Sequence, residues 1–169
     1  EKSEEAIAAL KKSLELDPQS VNAAITLGQI YLLQERQAEA RQVFVDALNR
    51  QPENIDVMLA AATFYLNTGQ IDDAKTLYEK ALNQDAKNST AATGLAEVYL
   101  ARNEPGMARS VIQQFQAAQK DALPDDIALR IRFIVGRAYL FEGNFQEAMP
   151  HLQIVSERLP NVMMAQYSY

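Results

Sequence analysis

The chain has 169 residues, 48% of them apolar and 22% charged, and 16 Lys and Arg against 22 Asp and Glu give a formal charge of −6. That apolar share excludes a disordered tail, and the acidic balance argues against a nucleic-acid partner. The absence of cysteine excludes a disulfide scaffold, a thiolate metal site and a thiol nucleophile. The longest apolar stretch, from Val57 to Leu66, has ten residues with Thr63 inside it, against the roughly 20 of a membrane-spanning helix. His151 is the single imidazole, which removes a Ser–His–Asp triad and a multi-histidine metal site, and no Walker or GxGxxG glycine pattern occurs. Neither a cofactor nor a metal is expected, nor an enzyme.

In chain order, the first predicted element is a helix within 1–19, where Ile7, Leu10 and Leu14 form an apolar stripe before Pro18. Ser20 then precedes a helix whose buried face carries Leu27, Gly28 and Tyr31, and after the polar turn 34–37 a second face follows at Ala40, Phe44 and Ala47. Asn54 opens the next pair, with Ala61, Ala62 and Tyr65, the turn 67–70, then Ala74, Tyr78 and Ala81. Asn88 opens the third, with Leu95, Ala96 and Tyr99, the turn 103–106, then Ala108, Ile112 and Phe115. Ser20, Asn54 and Asn88 are N-cap residue types, each able to accept a hydrogen bond from a free first-turn N–H. A longer connection near 116–126 leads to the fourth pair, with Val135, Gly136 and Tyr139, the turn at Gly143 and Asn144, then Ala148, Leu152 and Val155 before Pro160. Residues 162–169 look like the opening of a further first helix. The acidic pairs Asp72-Asp73 and Asp125-Asp126 sit at helix starts, where they complement free N–H groups and the helix dipole better than they would hold a metal.

Several columns share one period. Tyr31, Tyr65 and Tyr99 stand 34 residues apart and Tyr139 follows after 40; Ala6, Ala40, Ala74, Ala108 and Ala148 keep the same intervals, as do Gly28, Ala62, Ala96 and Gly136. A fixed period of this length marks stacked repeats, each a pair of helices that buries its apolar face only against neighbours. The pattern resembles the tetratricopeptide repeat (TPR) family: a small residue and an aromatic on the first helix, Ala–aromatic–Ala on the second, and a closing proline. Ala86 and Lys120 depart from it at the proline, and Arg132 stands where the family usually places an apolar residue.

The resemblance implies an all-α TPR-type α-solenoid, a right-handed superhelix of antiparallel helix pairs, in one array over 1–169. Within it, 1–19 is the second helix of a truncated repeat, 20–53, 54–87, 88–123 and 124–161 are four repeats, and 162–169 starts another. Uncapped apolar faces at both ends suggest a segment of a longer array or end-to-end self-association. First helices of such repeats line a groove that holds a protein or peptide partner. By phase, the groove positions are Asn22, Ile25 and Gln29, then Asp56, Leu59, Thr63 and Asn67, then Thr93 and Glu97, then Arg130, Phe133, Arg137 and Phe141. The last set alternates guanidiniums with aromatic rings, which reads either as an anchor for an acidic, apolar peptide or as phenylalanines packed on the next repeat beside solvated arginines. The basic carboxylate clamp of chaperone-binding members is missing, since its positions hold Ile25, Gln29, Ala60, Thr90 and Gly94. The expected function is a protein-interaction scaffold; the alternative is a structural segment of a bacterial cell-envelope assembly for polysaccharide export or pilus biogenesis. A soluble chain in the bacterial cytoplasm or periplasm fits both.

Overall fold

The structure, a computed structural model, describes residues 2–158, so Pro160 and the helix start expected at 162–169 lie outside the described residues. Among the described residues there are nine α-helices and no strand: α1 Lys2–Leu16, α2 Val21–Leu33, α3 Gln37–Arg50, α4 Ile55–Asn67, α5 Ile71–Gln84, α6 Ser89–Ala101, α7 Pro105–Ala118, α8 Asp125–Phe141 and α9 Phe145–Arg158. The chain divides into two compact units, residues 1–81 and 82–169, with the division inside α5.

The helix starts reward the cap residues unevenly. Asn54 accepts a hydrogen bond from the Val57 N–H at 3.2 Å, and Asn88 accepts one from Ala91 at 2.9 Å. Ser20 occupies the same place before α2 without a side-chain cap bond. Between the helices of each pair, the chain turns through one residue in the left-handed region: Glu35, Gly69, Asn103 and Gly143, with φ of 59°, 78°, 58° and 74°. The turn then closes onto the column tyrosine, as Arg36, Gln70, Glu104 and Asn144 donate their N–H to the carbonyls of Tyr31, Tyr65, Tyr99 and Tyr139 at 2.8–2.9 Å. Glycine and asparagine suit that conformation; Glu35 adopts it with a Cβ to accommodate.

In the first unit, α1 packs on α2, α2 on α3, and α3 on α4. Gly28 lets the second helix approach: a Cβ there would lie 2.5 Å from Cζ of Phe44, a ring that is itself buried. Phe44 continues into Phe64, with ring centroids 5.3 Å apart, and Phe64 into Tyr65 at 5.4 Å. Tyr31 is buried, and Arg36 lies over its ring at 4.5 Å while bonding Glu39 at 2.7 Å. In the second unit, α6 packs on α7 and α8, α7 on α8, and α8 on α9 around Ile112, Phe115, Ile131, Ile134 and Val155. Gly136 repeats the role of Gly28, with Leu152 as the neighbour at 2.7 Å.

Candidate functional site

An amphipathic helix that buries one stripe leaves another at the surface, and α2 and α4 do so here. On α2, Asn22 and Gln29 are exposed beside half-buried Ile25, while Ala23, Ala24, Leu27 and Tyr31 fill the core. On α4, Asp56, Thr63 and Asn67 are exposed beside half-buried Leu59. The Thr63 hydroxyl lies 2.8 Å from the Leu59 carbonyl, to which it donates, and 2.9 Å from the Tyr78 hydroxyl. A buried tyrosine of α5 thus brings its polar tip to this face. The first unit presents a polar strip with two aliphatic patches set into it.

In the second unit the expected residues part company. Thr93 is 1% exposed, and its hydroxyl donates to the Ser89 carbonyl at 2.8 Å, so it offers a partner no surface. Residues 91–96 of α6 are all buried, so the helix is covered on every side there, and α7 and α8 are among the helices packed on it. Glu97 and Arg137, both expected to face a partner, instead face each other. Nη1 of Arg137 donates to both Glu97 carboxylate oxygens, at 2.7 and 2.9 Å, and the guanidinium lies 5.4 Å from the centre of the Phe133 ring. Phe133 is half-buried. Neither sequence reading of the stripe describes Arg137, which braces α6 to α8 through a half-buried ion pair. Arg130 remains exposed, and Phe141 is 52% exposed at the end of α8.

Among the described residues, no group of three or more His, Cys, Asp or Glu could hold a metal ion. Asp72 and Asp73 lie in the first turn of α5, and Asp125 and Asp126 in that of α8, where the dipole favours anions. No helix of the described residues is long and apolar enough to cross a membrane.

No curated protein matches the chain at a significant level. Solved structures do. The crystal structure of MamA aligns with a TM-score of 0.72 at 18% identity, over 99% of this chain and 87% of that one. YrrB, described as a TPR protein with an unusual peptide-binding site, aligns at 0.70 and 22% identity over 99% of this chain and 83% of its own. A thermophilic TPR protein of Thermus thermophilus aligns at 0.72 and 17% identity, over 97% of this chain and 87% of its own. At such identities the likeness is one of fold. The family model for the tetratricopeptide repeat matches residues 1–51, 33–79 and 69–125, which together span most of the sequence. The chain therefore belongs to the tetratricopeptide repeat family, and its fold is an all-α TPR solenoid.

Proposed function

We propose that the chain is a protein-interaction scaffold that holds an extended peptide or a helix of a protein partner against the exposed faces of its first helices. The observation that carries this reading is the strip on α2 and α4, where exposed Asn22, Gln29, Asp56, Thr63 and Asn67 border half-buried Ile25 and Leu59. Polar groups around small apolar patches fix a peptide's orientation while the patches take its side chains. Repeat proteins of this family act in general as non-catalytic binding scaffolds, and YrrB is described as having a peptide-binding site. On the second unit, exposed Arg130 and Phe141 favour a peptide that carries both a carboxylate and an apolar side chain.

A displayed library of random peptides, selected on the chain, tests the proposal. Selected peptides are then titrated against two double variants, Gln29→Lys with Asp56→Lys and Arg130→Glu with Phe141→Ala. The expected result is at least a tenfold loss of affinity in one of the two, with unchanged helicity by circular dichroism. Peptides that bind both variants as tightly as the parent chain place the binding surface elsewhere and reject the proposal.

A further inference from the structure

A cavity of about 290 Å3 opens in the second unit between α7, the connection that follows it, α8 and α9. It lies on a different side of α8 from the stripe described above. Its α8 lining includes Ala128, Ile131, Val135 and Tyr139, each two residues before Arg130, Phe133, Arg137 and Phe141, so the two rows are about 200° apart around the helix. One part of the wall is aliphatic, from Ile112, Leu123, Ile131 and Val135. The other is polar and cationic: Arg109, Arg132, His151, Gln113 and Gln116, with no carboxylate among the lining residues.

Two polar atoms of this lining are buried without a hydrogen-bond partner, Nε of Arg109 and Nδ1 of His151. Arg109 is otherwise well held. Its Nη2 pairs with Glu142 at 2.9 Å and its guanidinium lies 4.4 Å over the Tyr139 ring, which leaves Nε–H as a donor fixed in place. Buried polar groups without partners are rare in folded proteins, and both of these belong to side chains that line this one cavity.

The repeat itself shows how unusual this wall is. Arg132 falls in the column of Ala24, Met58 and Ala92, all buried, and His151 in the column of Val43, Leu77 and Val111. Two apolar columns thus turn cationic or titratable in the same repeat, and both changes line the same cavity. It also adjoins the six extra residues of the α7–α8 connection, which contribute Leu123.

We propose that this cavity binds a small organic acid: a carboxylate, held by Arg109, Arg132 and His151, on an apolar body of a few carbons packed against the aliphatic wall. The volume stands at the lower edge of small-molecule sites, about 300–1,000 Å3. The aliphatic wall disfavours a bare inorganic anion, and the cationic one disfavours a neutral hydrocarbon. The site does not depend on the proposed peptide surface.

Because His151 is the only histidine, its ring protons give a single resolved reporter in proton NMR. The full chain is titrated at constant pH and ionic strength with sodium hexanoate, with hexanol and with sodium phosphate. Hexanoate should move the His151 resonance saturably, at least about tenfold more tightly than either hexanol or phosphate. Arg132→Gln should weaken hexanoate at least about tenfold, whereas Arg41→Gln, which does not line the cavity, should leave it unchanged. Should Arg132→Gln alter the thermal midpoint, Gln116→Leu on the same wall replaces it, with a severalfold loss expected. Equal binding of hexanol reduces the site to an apolar void, and equal binding of phosphate to a cationic patch; either overturns the proposal. So does a His151 resonance that hexanoate fails to move. An unblocked Ala-Ala-Leu tripeptide that binds more tightly than hexanoate also overturns it, in favour of a peptide terminus.

Discussion

The first and last helix pairs each have a cavity at the same phase of the repeat, and the two differ in almost every residue that defines them. Between α1, α2 and α3 the cavity is about 60 Å3, lined by Leu14, Ala24, Val43 and Ala47 together with Ser20, Asp46 and Arg50. Between α7, α8 and α9 it is about 290 Å3, and the repeat phase puts Gln116, Arg132 and His151 where the first has Leu14, Ala24 and Val43. Buried Ile7 of α1 corresponds in the same way to Arg109. In the first unit Ala24 and Ala47 belong to an apolar cluster with Val57, against which Leu14 and Val43 pack. The repeat's small-and-aromatic columns therefore stack the helices, while a second set of positions decides how polar the seam between them is. A cavity of about 260 Å3 at the same phase, lined by Leu82, Ala86, Leu95, Val111 and Phe115, is open without being cationic.

The column tyrosines should separate the two seams most widely. Tyr31 is 2% exposed beneath a filled seam, whereas Tyr139 is half-buried and borders the larger cavity. Tyr31→Ala is expected to cost about 3–5 kcal/mol in urea unfolding, and Tyr139→Ala clearly less, because fewer contacts are lost. Equal losses would mean that the open seam is no looser than the closed one.

The two glycines probe the same contrast at closer range. Gly28→Ala drives a Cβ against the enclosed ring of Phe44 at 2.5 Å, while Gly136→Ala meets half-buried Leu152 at 2.7 Å, a branched chain with rotamers to spare. Overpacking costs about 1–3 kcal/mol, and the better helix propensity of alanine returns about 1 kcal/mol. Gly28→Ala should therefore destabilise by about 1–2 kcal/mol and Gly136→Ala by close to nothing, as read from thermal midpoints. A reversed order would refute the assignment of Phe44 as the more rigid neighbour.

A third test uses a column in which the units differ in charge: Gln29 and Thr63 in the first, Glu97 and Arg137 in the second. A double-mutant cycle on Glu97→Ala and Arg137→Ala should return a coupling of about 1 kcal/mol that shrinks with added salt, since the pair is partly solvated. The same cycle on Gln29→Ala and Thr63→Ala should return none. Coupling that is absent or indifferent to salt in the charged pair would remove the brace.

His151 should give the faintest signal of the four. Burial lowers the pKa of its imidazole from the usual 6.5, as does nearby Arg132, and Glu147 opposes them. A folded value below the unfolded one means that the unfolded chain binds the proton first. The histidine's contribution is complete above about 6.5 and is lost as the pH falls through the folded pKa. The thermal midpoint of the parent chain should drop more over this window than that of His151→Gln, and parallel curves would show that the imidazole titrates as it does in water.

Much of the fold was legible in the sequence because a stacked repeat writes its contacts locally. A small residue three positions before a tyrosine, and an Ala–aromatic–Ala stripe after a polar turn, are helical spacings that recur without reference to distant chain. Asn54 and Asn88 cap as their types predict, whereas Ser20 makes no side-chain cap bond. The exposed members of the candidate surface, Asn22, Gln29, Asp56 and Arg130 among them, followed from phase alone.

What phase could not supply is which faces meet. Thr93 shares its column with Ile25 and Leu59, yet those two are half-buried and Thr93 is enclosed. Glu97 and Arg137 are 40 residues apart and pair only because α8 lies against α6. Arg132 was visible as a departure from the family pattern, but a departure on a helix face is merely a charge until a cavity stands beside it. That cavity joins α7, the lengthened connection, α8 and α9, and brings Arg109, Arg132 and His151 together across more than 40 positions of sequence. The period, the helices and the stacking columns can be read without any structure, because they depend on neighbours three or four residues away. Which side chains are covered, paired or left facing a cavity is settled by packing, because burial and pairing depend on helices that the chain brings together from afar.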